Sequence, residues 1–304
     1  MKTEFPLDES LIYLNHAAVS PWPLRTTLAV EGFARENLSF GAAHYPEWLK
    51  CEEELRNLLA WLINAPSGND IALLKNTSEG LSTLAYGIDW KAGDNLVTFQ
   101  QEFPSNRIVW ESLARFGVET RLVDLSTRSD AAPEKQLMTR CDANTRLLSA
   151  SSVQYATGFR LDLESVGSFC RQRNILFCVD AIQSLGAIPF DVQKNNADCV
   201  VADGHKWMLG PEGVALFYVR PELREKLKLH QFGWHMISHA GDFDRVAWTP
   251  SDTATRFECG SPNMLGIHAL RASLSLIREQ GIQRIFNRVL ANTAHVIELV
   301  ETSG

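Results

Sequence analysis

"DCVVADGHKWMLGPEGVALFYVR" (residues 198–220) contains two short apolar runs, 198–203 and 214–220, joined by the segment 204–213. Both runs are apolar throughout rather than alternating, as in strands covered on both faces. The joining segment is too short for a helical crossover, so the two strands are expected to lie antiparallel. It carries Lys206 beside His205, with Gly204, Gly210 and Gly213 around it. Lysine is among the residue types least often buried. At this place it is either the tip of a solvated hairpin or an amine in a site, and the glycines indicate close backbone approach rather than a free tip.

The same apolar pattern recurs upstream. "IALLKN" (71–76), "NLVTF" (95–99), "ETRLVDL" (119–125), "RLLSASSV" (146–153) and "ILFCVD" (175–180) read as strands, and 46–64, 78–87, 104–116 and 161–173 read as helices. Strand and helix in alternation predict an α/β fold, a mainly parallel seven-stranded sheet with helices on both faces. An N-terminal arm (1–25) precedes a large domain (26–255). From 256 the pattern becomes helical, through "MLGIHALRASLSLIREQG" (264–281) and on over 282–302.

The 304 residues suffice for a large core in one domain or two. With 36 acidic and 29 basic residues the net charge is −7, which argues against nucleic acid or an anionic membrane as partner. No run reaches the ~18 apolar residues of a membrane span, and "MKTEFPLDES" lacks the apolar centre of a signal peptide. A cytoplasmic location is expected. Cys51, Cys141, Cys170, Cys178, Cys199 and Cys259 form no C-x-x-C, and Cys178 and Cys199 read as small buried thiols. His230, His235 and His239 in "HQFGWHMISH" have no carboxylate at helical spacing and read as an aromatic-rich loop, so no metal site is expected.

In open α/β sheets ligands bind outside the carboxyl ends of the strands, and polar signals gather there. Thr77 and Ser78 in "NTSEG" open a helix, either as an anion cradle or as an ordinary N-cap. Phe103, before Pro104, offers a ring to a flat ligand or a core aromatic at a turn. Gln154 leaves one strand. Asp180 ends another, with Gln183 three residues on, and an acid there needs a cationic partner or several donors. Lys206, if desolvated, is a Schiff-base amine. Each signal alone has an ordinary explanation. Together an anion cradle, a stacking ring, an amide, a strand-end carboxylate and a lysine are what pyridoxal 5'-phosphate (PLP) requires.

From "YLNHAA" (13–18) to "RFECGSPN" (256–263), and most specifically in "VDAIQSLGA" (179–187) and "DGHKWMLGPEG" (203–213), the sequence resembles the class V aminotransferases of PLP fold type I. These include cysteine desulfurases, selenocysteine lyases, kynureninases and isopenicillin N epimerase-like proteins. The resemblance implies a three-layer α/β/α fold, with Lys206 as catalytic Schiff-base lysine. It implies Asp180 on the pyridine nitrogen, Gln183 and Gln154 near the ring hydroxyl, and Phe103 stacked on the ring. Thr77, Ser78 and His205 would lie by the phosphate. Ser261 would reach the phosphate of a neighbouring subunit, which implies a homodimer.

Three departures accompany the resemblance. Asp203 stands where desulfurases commonly have a phosphate-binding serine and is left unassigned. Phenylalanine at the stacking position differs from the histidine of desulfurases. The small C-terminal domain that supplies the substrate-carboxylate arginine and the sulfur-accepting cysteine is expected to be largely missing beyond the 256–304 segment. Arg256 and His44 are alternative substrate-facing residues, with a surface arginine and a helix-preceding histidine as the simpler readings. The function implied is transamination or lyase chemistry on a small amino acid. A cysteine desulfurase or selenocysteine lyase is one alternative, and a truncated non-catalytic PLP-binding or interaction protein is another.

Overall fold

A computed structural model describes residues 3–126 and 130–303. Seven strands, β1 (Ile71–Leu74), β2 (Asn95–Phe99), β3 (Glu119–Val123), β4 (Thr145–Ser151), β5 (Leu176–Asp180), β6 (Cys199–Asp203) and β7 (Ala215–Val219), form one sheet in the order β1-β7-β6-β5-β4-β2-β3. β7 runs antiparallel to both β1 and β6, and the other neighbouring pairs are parallel. The strand joined by the short lysine segment is therefore the one that reverses, as its connection requires. The carboxyl ends of the other six strands open on one edge.

The helices are α1 (Leu24–Phe40), α2 (Tyr45–Ile63), α3 (Thr77–Gly87), α4 (Ser105–Glu111, continued by a 3-10 turn to Phe116), α5 (Pro133–Thr139), α6 (Leu163–Arg173), α7 (Pro221–Arg224), α8 (Met264–Gln280) and α9 (Ile282–Ser303). They cover the sheet on two sides. The period of two along each strand sends Phe177, Val179, Val200 and Ala202 to one face, where α2, α6 and α8 pack with Leu55, Leu59, Val166, Leu270 and Leu274. Cys178, Cys199, Val201 and Phe217 take the other, against Leu81 and Leu84 of α3 and Trp110 of α4. The result is the expected three-layer α/β/α arrangement. Cys178 and Cys199 lie in register on adjacent strands as free, buried thiols.

α1 has no counterpart in the sequence reading. Thr26 alone among its residues is buried, so it lacks the apolar stripe by which a helix is recognised. Polar contacts and one ring hold it on α8: the Thr26 and Ser273 hydroxyls are 2.7 Å apart, Arg25 binds Ser275 and Glu279, and Phe33 packs on His268 at 4.7 Å. α8 packs into the core, whereas α9 leaves Leu290, Val296, Ile297, Leu299 and Val300 half or more exposed. Among the described residues no helix is long and apolar enough to cross a membrane.

Candidate active site

A cavity of about 510 Å³ opens at the carboxyl edge of the sheet, lined among others by Thr77, Ser78, Phe103, Asp180, Gln183, His205 and Lys206. Each reaches it by a local device. The residue that caps α3 is Asn76, whose Oδ1 accepts from the Glu79 amide at 2.9 Å, while Glu79 Oε2 accepts from the Lys75 amide at 2.6 Å. Neither Thr77 nor Ser78, expected as the ordinary cap, fills that role. Their first-turn amides have no partner within the helix, and the dipole there favours an anion. Thr77 Oγ1 accepts from the Asp203 amide at 3.1 Å, tying α3 to the end of β6, and Ser78 Oγ donates to Ser105 Oγ at 2.8 Å.

Lys206 is buried, at 8% exposure, and forms no ion pair with a described carboxylate. Its Nζ lies 5.5 Å from the centre of the Phe103 ring, and Phe103 meets Tyr155 edge-on at 5.3 Å. Burial pushes the amine below its usual range, against the pull of Asp180 and Asp203. The loop that carries it is fixed by short backbone bonds: Leu209 N to Lys206 O (3.0 Å), Gly210 N to Gly204 O (2.8 Å) and Gly204 N to Val214 O (2.9 Å). Gly186 (φ +102°) is required beneath it, since a Cβ there would stand 2.1 Å from the Trp207 carbonyl oxygen.

Asp180 is fully buried at the end of β5, and its Oδ1 accepts from the Ile182 amide at 3.1 Å. Burial, with a smaller contribution from Glu102, pushes its carboxyl up to about 7. Gln183 joins three segments: its Nε2 donates to Ala17 O (2.9 Å) and its Oε1 accepts from Trp207 Nε1 (3.2 Å). The arm completes the wall. Asn15, Ala17, Ala18 and Val19 line the cavity, His16 stacks on Trp207 at 5.2 Å, and Ser20 N donates to His205 O at 2.9 Å. Asp203 faces the cavity too, with Oδ1 3.1 Å from His205 Nδ1.

Comparison with known proteins bears on this geometry. Residues 12–304 match the family model described as aminotransferase class-V. The chain belongs to the class V aminotransferase family. A probable cysteine desulfurase of Methanothermobacter thermautotrophicus is 29% identical over 289 residues, 94% of this chain and 71% of that protein. A cysteine desulfurase of Escherichia coli O157:H7 is 30% identical, over 90% of this chain and 69% of that protein. Among solved structures, the apo cysteine desulfurase of Thermococcus onnurineus superposes with a TM-score of 0.85 at 25% identity, covering 99% of this chain and 76% of that one. The cystine C-S lyase C-DES, in complex with its reaction product cysteine persulfide, gives 0.82 at 26%, over 91% and 74%.

The family's cofactor is PLP, and the residues of this class V chain fit it. An unpaired buried amine, a buried strand-end carboxylate with one described hydrogen bond, an exposed aromatic face and a helix N-terminus with free donors converge on one cavity.

Two residues given roles by the class V resemblance are not brought to that cavity within the chain. The Gln154 carboxamide is taken up by its own turn, donating to Gln101 O and accepting from the Ala156 and Thr157 amides and the Thr157 hydroxyl. Ser261 lines a separate hollow with Lys75, Cys259 and Asn263. His44 precedes α2, exposed, 3.4 Å from Glu36, and Arg256 faces another hollow. None of the described lining residues is a cysteine.

The aromatic loop holds His235 3.6 Å from Glu258, so the fold brings it a carboxylate that sequence spacing did not. Arg56 lies between Glu52 and Glu258 and bonds both, which makes the cluster a charge clamp joining α2 to the 251–263 segment. Sequence reasoning also missed Asn76 and Glu102. The first was legible in N-T-S-E as a cap with Glu at the third helical position; the second stood beside Phe103 with no periodic signal.

Proposed function

We propose that this chain uses PLP held on Lys206 to labilise bonds at the α-carbon of a small amino acid, and that C–S cleavage of a cysteine-type substrate is its reaction. The observation that carries the reading is the convergence of Lys206, Asp180 and the Thr77–Ser78 turn on one cavity below the Phe103 ring. The kinship with cysteine desulfurases and with a cystine C-S lyase supports the choice of substrate.

When bound, the cofactor supplies an electron sink conjugated to the α-carbon. The chain's residues do the rest. Lys206 would hold the aldehyde carbon and would be placed to move a proton at the α-carbon; its desolvation favours the neutral, basic amine. Asp180, deep in the floor, would hold a proton on the ring nitrogen. Thr77 and Ser78 would bind the phosphate through hydroxyls and amides. Phe103 would cover the ring, and it cannot carry a proton as a histidine there could.

Borohydride trapping followed by peptide mass spectrometry tests the assignment. A pyridoxyl group is expected on Lys206 and none in Lys206→Ala; an unlabelled Lys206 peptide, or label elsewhere, defeats it. Sulfide or persulfide release from cysteine and cystine, against amino transfer to keto acids, then tests the reaction.

A further inference from the structure

A second hollow, about 280 Å³, runs along the C-terminal half of α3 and shares no lining residue with the Lys206 cavity. Ser82, Thr83 and Tyr86 form one wall, and Arg115, the 228–231 segment and Arg256 form the others. None of its described lining residues is acidic, and four are basic. Two of these have ordinary roles. Lys228 pairs with Asp89, and His230 Nε2 donates to the Tyr86 carbonyl near the end of α3. Arg115 stacks over Tyr86 and Phe116, 4.8 Å from each ring, without a described carboxylate partner.

Arg256 has no such explanation. It is half-buried, its Nε is shut off from solvent without a hydrogen-bond partner, and its guanidinium pairs with no described residue. Its neighbour Arg224 is held by Asp70 (3.2 Å) and by the Asn69 carbonyl (3.0 Å). Burial and the repulsion of Arg224 lower the Arg256 pKa, while Glu225 and Asp252 act on it only from a distance. A partly desolvated guanidinium with no carboxylate bonded to it is costly unless something supplies one, and its fork suits a carboxylate or phosphate.

We propose that this hollow binds a small organic anion, with its carboxylate or phosphate on Arg256 and its body against Tyr86 and Phe257. The hollow, about 280 Å³, lies at the lower end of small-molecule sites and suits a small anion. Arg115, already fixed over Tyr86, closes the open side as a second cation.

The test is calorimetric titration and thermal denaturation of the purified chain at fixed ionic strength, with inorganic phosphate in one arm and acetate in the other. Saturable binding that raises the unfolding midpoint with concentration is expected in at least one arm, and the arms separate the two headgroups. Arg256→Gln should weaken binding about tenfold or more without lowering the anion-free midpoint, because it removes an uncompensated charge. Arg115→Gln, at an exposed position, should weaken it several-fold and covers the case of a misfolded Arg256 variant. Phosphate held at the N-terminus of α3 would survive both substitutions. An unchanged response in both variants, or silence toward both anions in the parent chain, overturns the proposal. So does weaker self-association of Arg256→Gln in sedimentation, since the counter-charge would then come from a second copy of the chain.

Discussion

Ser151 on β4 lies in register with Asp180 on β5, and both its amide and its hydroxyl donate to Glu102. A second buried carboxylate is thereby fixed within electrostatic reach of the first. Burial first, and Glu102 second among the raising influences, lift Asp180 from its ordinary 3.8 to about 7, with Asp203 adding to them and Lys206 opposing. An acid raised in the folded state keeps a proton that the unfolded chain releases. Ligand-free stability should therefore fall as pH rises from about 4 to about 7 and take no further loss from this group above that, a change of a few kcal/mol at most. Asp180→Asn should flatten that slope in denaturant titrations across the range. Parallel profiles for the two proteins would contradict the assignment.

Asp203 brings a carboxylate to the wall that holds Thr77 and Ser78. Asp203→Ser should tighten PLP binding about tenfold, ~1.4 kcal/mol, measured by fluorescence titration. Unchanged affinity would show that the Asp203 carboxylate does not act on the phosphate.

Asn76 caps α3 with the same helix end that offers amides to an anion. Asn76→Ala should lose ~1 kcal/mol of stability. Asn76→Asp should keep the cap and the stability yet weaken PLP binding, because it puts a negative charge beside the anion site. The two variants split folding from binding, and equal PLP affinity in Asn76→Asp and the parent would argue against phosphate at this turn.

Gly41 and Gly186 both have positive φ, but a Cβ at Gly41 would meet nothing within 4 Å while one at Gly186 would meet the Trp207 backbone. Gly41→Ala should cost about 1 kcal/mol, and Gly186→Ala roughly 2–4 kcal/mol. Equal losses in urea denaturation would show that the Trp207 contact relaxes freely.

The strands were legible because buried parallel strands are apolar on both faces, and the reversal of β7 followed from the length of 204–213 alone. That Lys206, Asp180, Phe103 and the 77–78 turn share one cavity was legible because each follows a strand end. α1 was not, since hydroxyl and ion-pair contacts and the single ring of Phe33 hold it rather than an apolar stripe. Gln154 misled for a related reason: a carboxamide at a strand exit can bind a ligand or close its own turn, and only the path of residues 154–158 decides. Glu102, and the place of the arm in the cavity wall, were hidden because their partners are far away in sequence.

The bond from Ser20 to the carbonyl of His205 closes a span of 185 residues, and Trp22 Nε1 reaches the Gly210 carbonyl at 3.1 Å in the same seam. Contacts so distant along the chain carry a large closure entropy and tend to form late in folding. The vitamin-binding chamber thus gains its last wall only when its opening segment docks on residues made some two hundred positions afterwards.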